Sequence, residues 1–586
     1  MIEQYLQHAA LGSALSSRRM RVSNYAWGLA LSCAGALAAD PRPDAAVPTL
    51  SSAVAQLQNG DAAGAAKSLK AITAADPNND KAWRALAASE TALQHYDTAI
   101  AAYRRALAIQ PDSPWVFYQL GTVYAAKQDT QHAFEWLGKA KATHRYDMSE
   151  ISADAHLAGL RMDPRFNGLL PSAADFEHPF VEPVKIIREW RGEAAGDQFG
   201  WIARNVGDVD GDGIPDIVTS APTHGGHTGR IYVYSVGTGR LLWSADGKPG
   251  DELGSGVEGI GDANGDGIPD VAASGPTGTG VAYIYSGRDG KILQSFKSAR
   301  NDELFGNHIS GIGDIDGDGH ADIVVGAPGK PGESTNPGHA YVFSGKDGRL
   351  LYTLSGERPG DDFGSAVTGH SKGKQHILIV GAPRAGPDHH GRLNVYDNPT
   401  GAPKFVVEAD ATGNALGAMF VSFLGGSRKA GTPDVFVSDW SNTAKGPSTG
   451  RIYVQSGSTG ERLLTLTGET AGEGFGTSKS TAGDVDGDGR EDLIVGAWQY
   501  AGAALSGGRA YLYSGKDGRL IKTFTCRTPG DTFGFDAVGL GDVDHDGTAD
   551  LLVTSGWSAV NGHHSGRVFI ISSGVKRERN SLGSTP

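Results

Sequence analysis

Seven Phe-Gly or Leu-Gly dipeptides, beginning at Phe199, Leu253, Phe305, Phe363, Leu416, Phe475 and Phe533, recur every 52 to 59 residues. A long-period repeat of this kind constrains the fold before any single motif does. Each period holds a short strand, a loop, and an apolar strand ending in Gly326-Ala327-Pro328 or a relative such as Gly381-Ala382-Pro383 or Gly496-Ala497-Trp498. A third strand like His339–Phe343 follows, then a Ser-Gly-Lys-Asp-Gly turn and a fourth strand like Leu350–Leu354. Seven four-stranded units predict a β-propeller, in which radial repetition leaves no long unpaired sheet edge. The seventh unit stops after its third strand, Val568–Ile571, while an orphan strand, Val184–Trp190, precedes the first unit. We read the orphan as the missing fourth strand, closing the ring with both ends of the chain.

Five of the loops between first and second strands are acidic. They are Asp208-Val-Asp210-Gly-Asp212-Gly-Ile214-Pro-Asp216, Asp262-Ala-Asn264-Gly-Asp266-Gly-Ile268-Pro-Asp270, Asp314-Ile-Asp316-Gly-Asp318-Gly-His320-Ala-Asp322, Asp484-Val-Asp486-Gly-Asp488-Gly-Arg490-Glu-Asp492 and Asp542-Val-Asp544-His-Asp546-Gly-Thr548-Ala-Asp550. Oxygens at positions one, three, five and nine, with glycine at six, suit a hard cation taking six to eight oxygens at about 2.3–2.6 Å, which describes calcium. The backbone carbonyl at position seven (Ile214, Ile268, His320, Arg490, Thr548) is expected to fill the remaining gap, as in other calcium loops. An EF-hand is excluded, because its twelfth position needs glutamate and the first loop has Thr219 there, and because the flanks read as strands. An Asp-Gly turn alone would explain one copy, but five such clusters would repel strongly if empty. The loops carry nineteen carboxylates at these positions against a net charge of −14, so the rest of the chain is slightly basic and the acidity is local. An acidic chain without basic runs argues against a nucleic-acid partner.

On these frames and loops the chain resembles the FG-GAP repeat family, whose best-known members form the seven-bladed head of integrin α subunits. The resemblance covers residues 184 to about 573. It implies about five structural calcium ions on the lower rim and ligand recognition on the opposite face. Units four and five depart from the pattern, since Ser371–His376 and Ser427–Thr432 lack the carboxylates; no ion is expected there, and lysine or arginine is expected to take over part of the charge balance. The Phe-Gly aromatics and the acid two residues before most of them (Asp197, Asp251, Glu303, Asp361, Glu473, Asp531) read as scaffold.

The opposite rim carries the loops between strands two and three. Trp440, Trp498 and Trp557 occupy equivalent positions there, with Tyr500, His563 and His564 nearby. Aromatic residues on one arc suggest a recognition surface for protein or glycan; each indole could equally cover its own blade. Asp439-Trp-Ser441-Asn-Thr443 has the look of a metal-dependent adhesion motif, but the inserted domain that carries such a motif is missing.

The N-terminal third is different. Residues 1–38 read as an export signal: Arg18, Arg19 and Arg21 precede an apolar stretch ending in Ala36-Leu37-Ala38, with Met20 a possible start. Lipid attachment at Cys33 is disfavoured by the spacing. Export to the periplasm or outside the cell follows, with no membrane span, since the apolar run is short. Residues 39–166 resemble tetratricopeptide repeats of 34 residues, with Pro77 and Pro111, Ala65, Ala99 and Ala133, and Leu69, Tyr103 and Leu137 one period apart. A capping helix is expected around Ser152–Leu160, residues 167–183 read as linker, and 574–586 as a polar tail.

The sequence therefore predicts a multidomain protein: a small all-α array that docks one protein partner, followed by an all-β propeller recognising a protein or glycan. A carbohydrate-binding lectin is the alternative. Enzymes acting on lipid or polysaccharide also use such propellers, but no HExxH or spare catalytic segment is present, so the reading is non-enzymatic.

Overall fold

The structure, a computed structural model, describes residues 48–576 except 299, 301–302, 331–334, 374, 426–431 and 479. The expected export signal lies outside the described residues. The chain divides into two compact units, the first ending at Asp175 and the second beginning at Phe176.

In the first unit six helices, Leu50–Gln58, Ala62–Ala75, Asp80–Ala92, Tyr96–Ile109, Pro114–Ala126 and Thr130–Ala142, form three pairs. Capping side chains start most of them: Thr49, Asp61, Asn79, Ser113 and Asp129 each accept a backbone N–H of the first turn. Small residues let the pairs close. A Cβ on Gly121 would meet Leu137 at 2.6 Å, so only glycine permits that approach. The expected capping helix is instead one α-turn, Glu150–Ala153, and a 3-10 turn, Ala155–Leu160. Asp154 interrupts it with extended backbone and caps the second turn through the His156 N–H.

The second unit contains seven four-stranded antiparallel sheets. Blade 1 is representative: Ala203–Gly207, Asp216–Ala221, Arg230–Tyr234 and Leu241–Asp246 in sequence order. In blade 7 the strands Ala537–Gly541, Asp550–Ser555 and Arg567–Ser572 are completed by Ile186–Arg191, with Trp190 paired to Val568 and Ile186 to Ile571. The ring is thus closed by a strand from its other end.

The apolar cores lie between blades. Each of the seven buried clusters of this unit draws on two neighbouring sheets; Phe305, Ile323 and Val325 of blade 3, for instance, join Ala272, Ile284 and Phe296 of blade 2. The Phe-Gly aromatics sit in these seams: Phe199, Phe305, Phe363, Phe475 and Phe533 are at most 2% exposed. Burying one such ring contributes about 1.5–3 kcal/mol. The following glycine has positive φ in every blade, 82° at Gly200 and 96° at Gly364, and a Cβ on Gly364 would fall 2.1 Å from the His339 carbonyl oxygen. Because each core is shared, a blade buries its apolar faces only against its neighbours in the ring.

Residues 176–182, expected as linker, belong to the propeller. Phe180 is buried against Phe533 and Phe569, with ring centroids 4.9 and 5.6 Å away. The Val181 N–H donates to the Thr525 carbonyl, and the Glu182 carboxylate accepts the Thr525 N–H and hydroxyl. Isolated aromatics in a segment rich in proline show no periodicity, so only the tertiary contact reveals their burial.

Candidate metal centres and the opposite rim

In a meander of four antiparallel strands, the loops joining strands one to two and three to four share a rim. The acidic loops therefore face the 3–4 turns of their own blades. Position nine opens the second strand, and Asp216, Asp270, Asp322, Asp492 and Asp550 are all fully buried. Each closes its loop by accepting the position-two N–H: Val209 to Asp216 (2.9 Å), Ala263 to Asp270 (2.9 Å), Ile315 to Asp322 (2.8 Å), Val485 to Asp492 (2.8 Å) and Val543 to Asp550 (2.8 Å). The other oxygen accepts from the 3–4 turn, through Val236, Gly287, Gly345 and Gly515. Blade 7 has no such turn, its fourth strand coming from residue 186, and Asp550 Oδ1 is buried without a hydrogen-bond partner. Burial pushes the carboxyls of Asp216, Asp322, Asp492 and Asp550 up to about 6, and raises Asp270.

Position one fixes the loop's turn: Asp208 accepts the N–H groups of Gly211 and Gly213, and Asp262, Asp314 and Asp484 repeat the pair. Asp210 and Asp212 each accept the N–H two residues on. The structure brings carboxylate oxygens within 4.8 Å of one another at Asp208, Asp210 and Asp216, at Asp314, Asp316 and Asp322, at Asp484, Asp486 and Asp488, and at Asp542, Asp544 and Asp550. Asp212, Asp318, Asp492 and Asp546 stand outside those groups, and the second loop forms no such group because Asn264 replaces a carboxylate. Three of these groups include the buried position-nine carboxylate, and in blade 7 one of its oxygens has no donor; an all-oxygen set of this kind fits a hard divalent ion.

Protein cations already partly neutralise four loops. Arg288 lies 3.2 Å from Asp266, Arg349 3.2 Å from Asp316, and Arg519 2.6 Å from Asp486. In blade 7, Lys185 Nζ is 2.7 Å from both Asp544 and Asp546. Lys185 precedes the closing strand as Arg349 precedes Leu350 and Arg519 precedes Leu520, so it holds the same place from the far end of the chain. Among the described residues no cation pairs with the blade 1 loop; Gly237 stands where Arg288 stands in blade 2, and a Cβ there would meet Asp212 Oδ2 at 2.1 Å.

Two position-seven side chains, His320 and Arg490, have an unforeseen role: they hydrogen-bond to the preceding blade. His320 Nδ1 is 2.9 Å from the Ala263 carbonyl oxygen. Arg490 Nη2 donates to Asp434 Oδ2 at 2.8 Å, both side chains being buried. Asp434 opens the second strand of blade 5, as the position-nine aspartates do elsewhere. Most of Ser427–Thr432, its degenerate loop, lies outside the described residues.

On the opposite rim, the Trp498 ring stands edge-on to Trp557 at 4.9 Å and to Phe535 at 5.5 Å. Phe535 meets Trp201 at 4.7 Å, an extension that the sequence pattern did not flag although Trp201 and Phe535 both follow a Phe-Gly pair. Trp557 stacks on His564 at 5.5 Å, and His564 on His563 at 3.7 Å. Tyr500 is half-buried under the Arg509 guanidinium at 3.7 Å. Trp440 is 8% exposed and contributes little surface. The adjacent Asp439 is fully buried and caps the turn through the Asn414 and Ala415 N–H groups, both at 3.1 Å, which gives that fragment a structural use. The scaffold acids behave similarly: Asp197 accepts the Ala194 N–H and Asp251 the Lys248 N–H.

Four stretches, 199–234, 305–343, 475–513 and 535–571, match the FG-GAP repeat, and residues 89–128 match the TPR repeat. Integrin alpha-2 of Mus musculus is 30% identical over 169 residues, 25% of this chain and 14% of that protein. Integrin alpha-4 of Xenopus laevis is 32% identical over 162 residues, 25% of this chain and 16% of that protein. Phosphatidylinositol-glycan-specific phospholipase D of Homo sapiens is 27% identical over 397 residues, 55% of this chain and 46% of that protein. The chain spans less than half the length of each of these relatives.

Proposed function

We propose that this chain, an integrin-α-like FG-GAP propeller with an N-terminal tetratricopeptide array, is an exported, calcium-stabilised recognition protein. Its five acidic loops would each hold one calcium ion through positions one, three, five and nine and the carbonyl of position seven. At millimolar calcium and a site constant near ~0.1 mM, one ion stabilises the fold by about 1.4 kcal/mol. Calcium is then structural, and ligand affinity depends on it indirectly.

The observation that carries the recognition reading is the half-buried aromatic group of Trp498, Trp557 and His564 on the rim opposite the acidic loops. Rings held by mutual contact supply area at small entropic cost, which suits a protein or glycan ligand. The helical array supplies the dock for a second protein. Among the described residues no helix is long and apolar enough to cross a membrane. The phospholipase relative makes an enzyme the second reading; in the reading we prefer, the loop carboxylates are structural ion ligands.

The test is a capture experiment on extracellular proteins and on a glycan array, with and without calcium. Binding that needs calcium and is lost in Trp498→Ala supports the reading; binding indifferent to both contradicts it.

A further inference from the structure

Six blades place an aromatic ring at the middle of the third strand: Tyr232, Tyr283, Tyr341, Tyr453, Tyr511 and Phe569. Blade 4 has Asn394. The register fixes the equivalence, since Ala382 pairs with Arg392 as Ala327 pairs with His339 and Ala497 with Arg509. Where the sibling frame opens on phenylalanine the ring stands against it, at 5.2 Å for Phe199–Tyr232, 5.8 Å for Phe305–Tyr341 and 5.4 Å for Phe475–Tyr511. In three blades the hydroxyl reaches an acid: Tyr341 donates to Glu303 at 3.0 Å, Tyr453 to Asp410 at 2.8 Å and Tyr511 to Glu473 at 3.4 Å, while the Tyr232 hydroxyl is buried without a partner among the described residues.

Asn394 is too short to fill that place, and its amide turns to the Val380 carbonyl at 3.4 Å. A cavity of about 370 Å³ remains between the fourth strand of blade 3 and the third strand of blade 4. Its walls keep the fittings of the sibling ring: Phe363, the acid Asp361 two residues before it, Arg392 and Tyr396. Asp361 is 6% exposed. Arg392 reaches Glu408 at 2.9 Å and Glu357 at 3.4 Å through its terminal nitrogens, while its Nε–H is buried without an acceptor. The cavity is open to solvent and lined largely by polar surface; since an enclosed cavity of roughly 150 Å³ admits benzene, its volume leaves room for a ring with its substituents.

We propose that the seam between blades 3 and 4 binds a phenolic ring supplied from outside the chain. The ring lies against Phe363, its hydroxyl donates to Asp361, and the Arg392 Nε–H donates to the hydroxyl oxygen. A small free phenol and a tyrosine side chain on a partner polypeptide share this chemistry. The site is separate from both the acidic loops and the aromatic rim.

The full chain in calcium buffer is titrated with p-cresol, N-acetyl-tyrosinamide and N-acetyl-phenylalaninamide, and binding is followed by ligand-observed NMR. Saturable binding of a phenol is expected, roughly tenfold tighter than the phenylalanine analogue, because the analogue leaves Asp361 and Arg392 without their partner. Binding of cresol alone assigns a small phenol; binding of the tyrosine amide as well assigns a tyrosyl side chain. Asn394→Tyr, which restores the sibling ring, should abolish binding, and Asp361→Asn should weaken it about tenfold. Absence of saturable phenol binding, equal affinity for the phenylalanine analogue, or binding unchanged in both variants would overturn the proposal.

Discussion

Arg490 Nη2 lies 2.8 Å from Asp434 Oδ2 across the seam between blades 6 and 5. Blade 5 has lost its acidic loop but kept the buried aspartate at the head of its second strand, and a neighbour's guanidinium supplies the charge. Breaking a buried pair leaves one charge uncompensated, at a cost of about 3–5 kcal/mol, whereas replacing both partners with apolar groups is close to neutral. Arg490→Met should therefore lower stability by that amount in chemical denaturation, and Arg490→Met with Asp434→Leu should recover most of it. Equal losses in the single and double variants would show that the pair does not act as a unit.

Ring closure depends on the segment before the first blade as well as on the closing strand. Phe180 touches Phe533 and Phe569 at the seam between blades 6 and 7. Phe180→Ala should cost about 3–5 kcal/mol, and removing residues 176–191 should abolish cooperative unfolding of the whole propeller. A deletion protein that still melts in one transition near the wild-type temperature would refute shared closure.

If the loops hold calcium as proposed, Lys185 would compete with the ion at blade 7, since its ammonium lies 2.7 Å from two of the proposed ligand carboxylates. Lys185→Gln should tighten cation binding at that loop and lower the thermal midpoint of the metal-free protein. Blade 1, whose loop has no paired cation among the described residues, should fill first in a calcium titration followed by NMR. Filling of blade 7 before blade 1 would contradict this order.

The pH dependence has a definite sign. Burial holds Asp216, Asp322, Asp492 and Asp550 up at about 6 in the folded, metal-free protein, above the ordinary carboxyl value of 3.8. Each thus contributes stability that is complete below about pH 4 and is lost as pH rises through about 6. A bound cation reverses the preference by favouring the carboxylate. The calcium-induced rise in melting temperature should accordingly be larger at pH 7 than at pH 5; a rise independent of pH over this window would argue against these aspartates as ligands.

How much of this was legible in the sequence follows from what repeats. The seven Phe-Gly frames and five acidic loops recur at fixed offsets, so a period reveals them and the strands between them. The orphan strand was legible because a unit lacked one. Residues 176–182 were not, since Phe176 and Phe180 carry no pattern until blades 6 and 7 surround them. Arg490 and His320 looked like mere carbonyl donors, because their side chains act across a seam that only the ring creates. Asn394 reads as an ordinary strand residue until its five tyrosine siblings are superposed by register, and Trp440, grouped with Trp498 and Trp557 by position, proves buried.

Metal content is the most direct test of the proposed cations in the five loops. After equilibrium dialysis at millimolar calcium, elemental analysis should find about five ions per chain, and about four in Asp208→Asn with Asp210→Asn. A chain that retains no calcium, or a count unchanged by removing the blade 1 carboxylates, would contradict it.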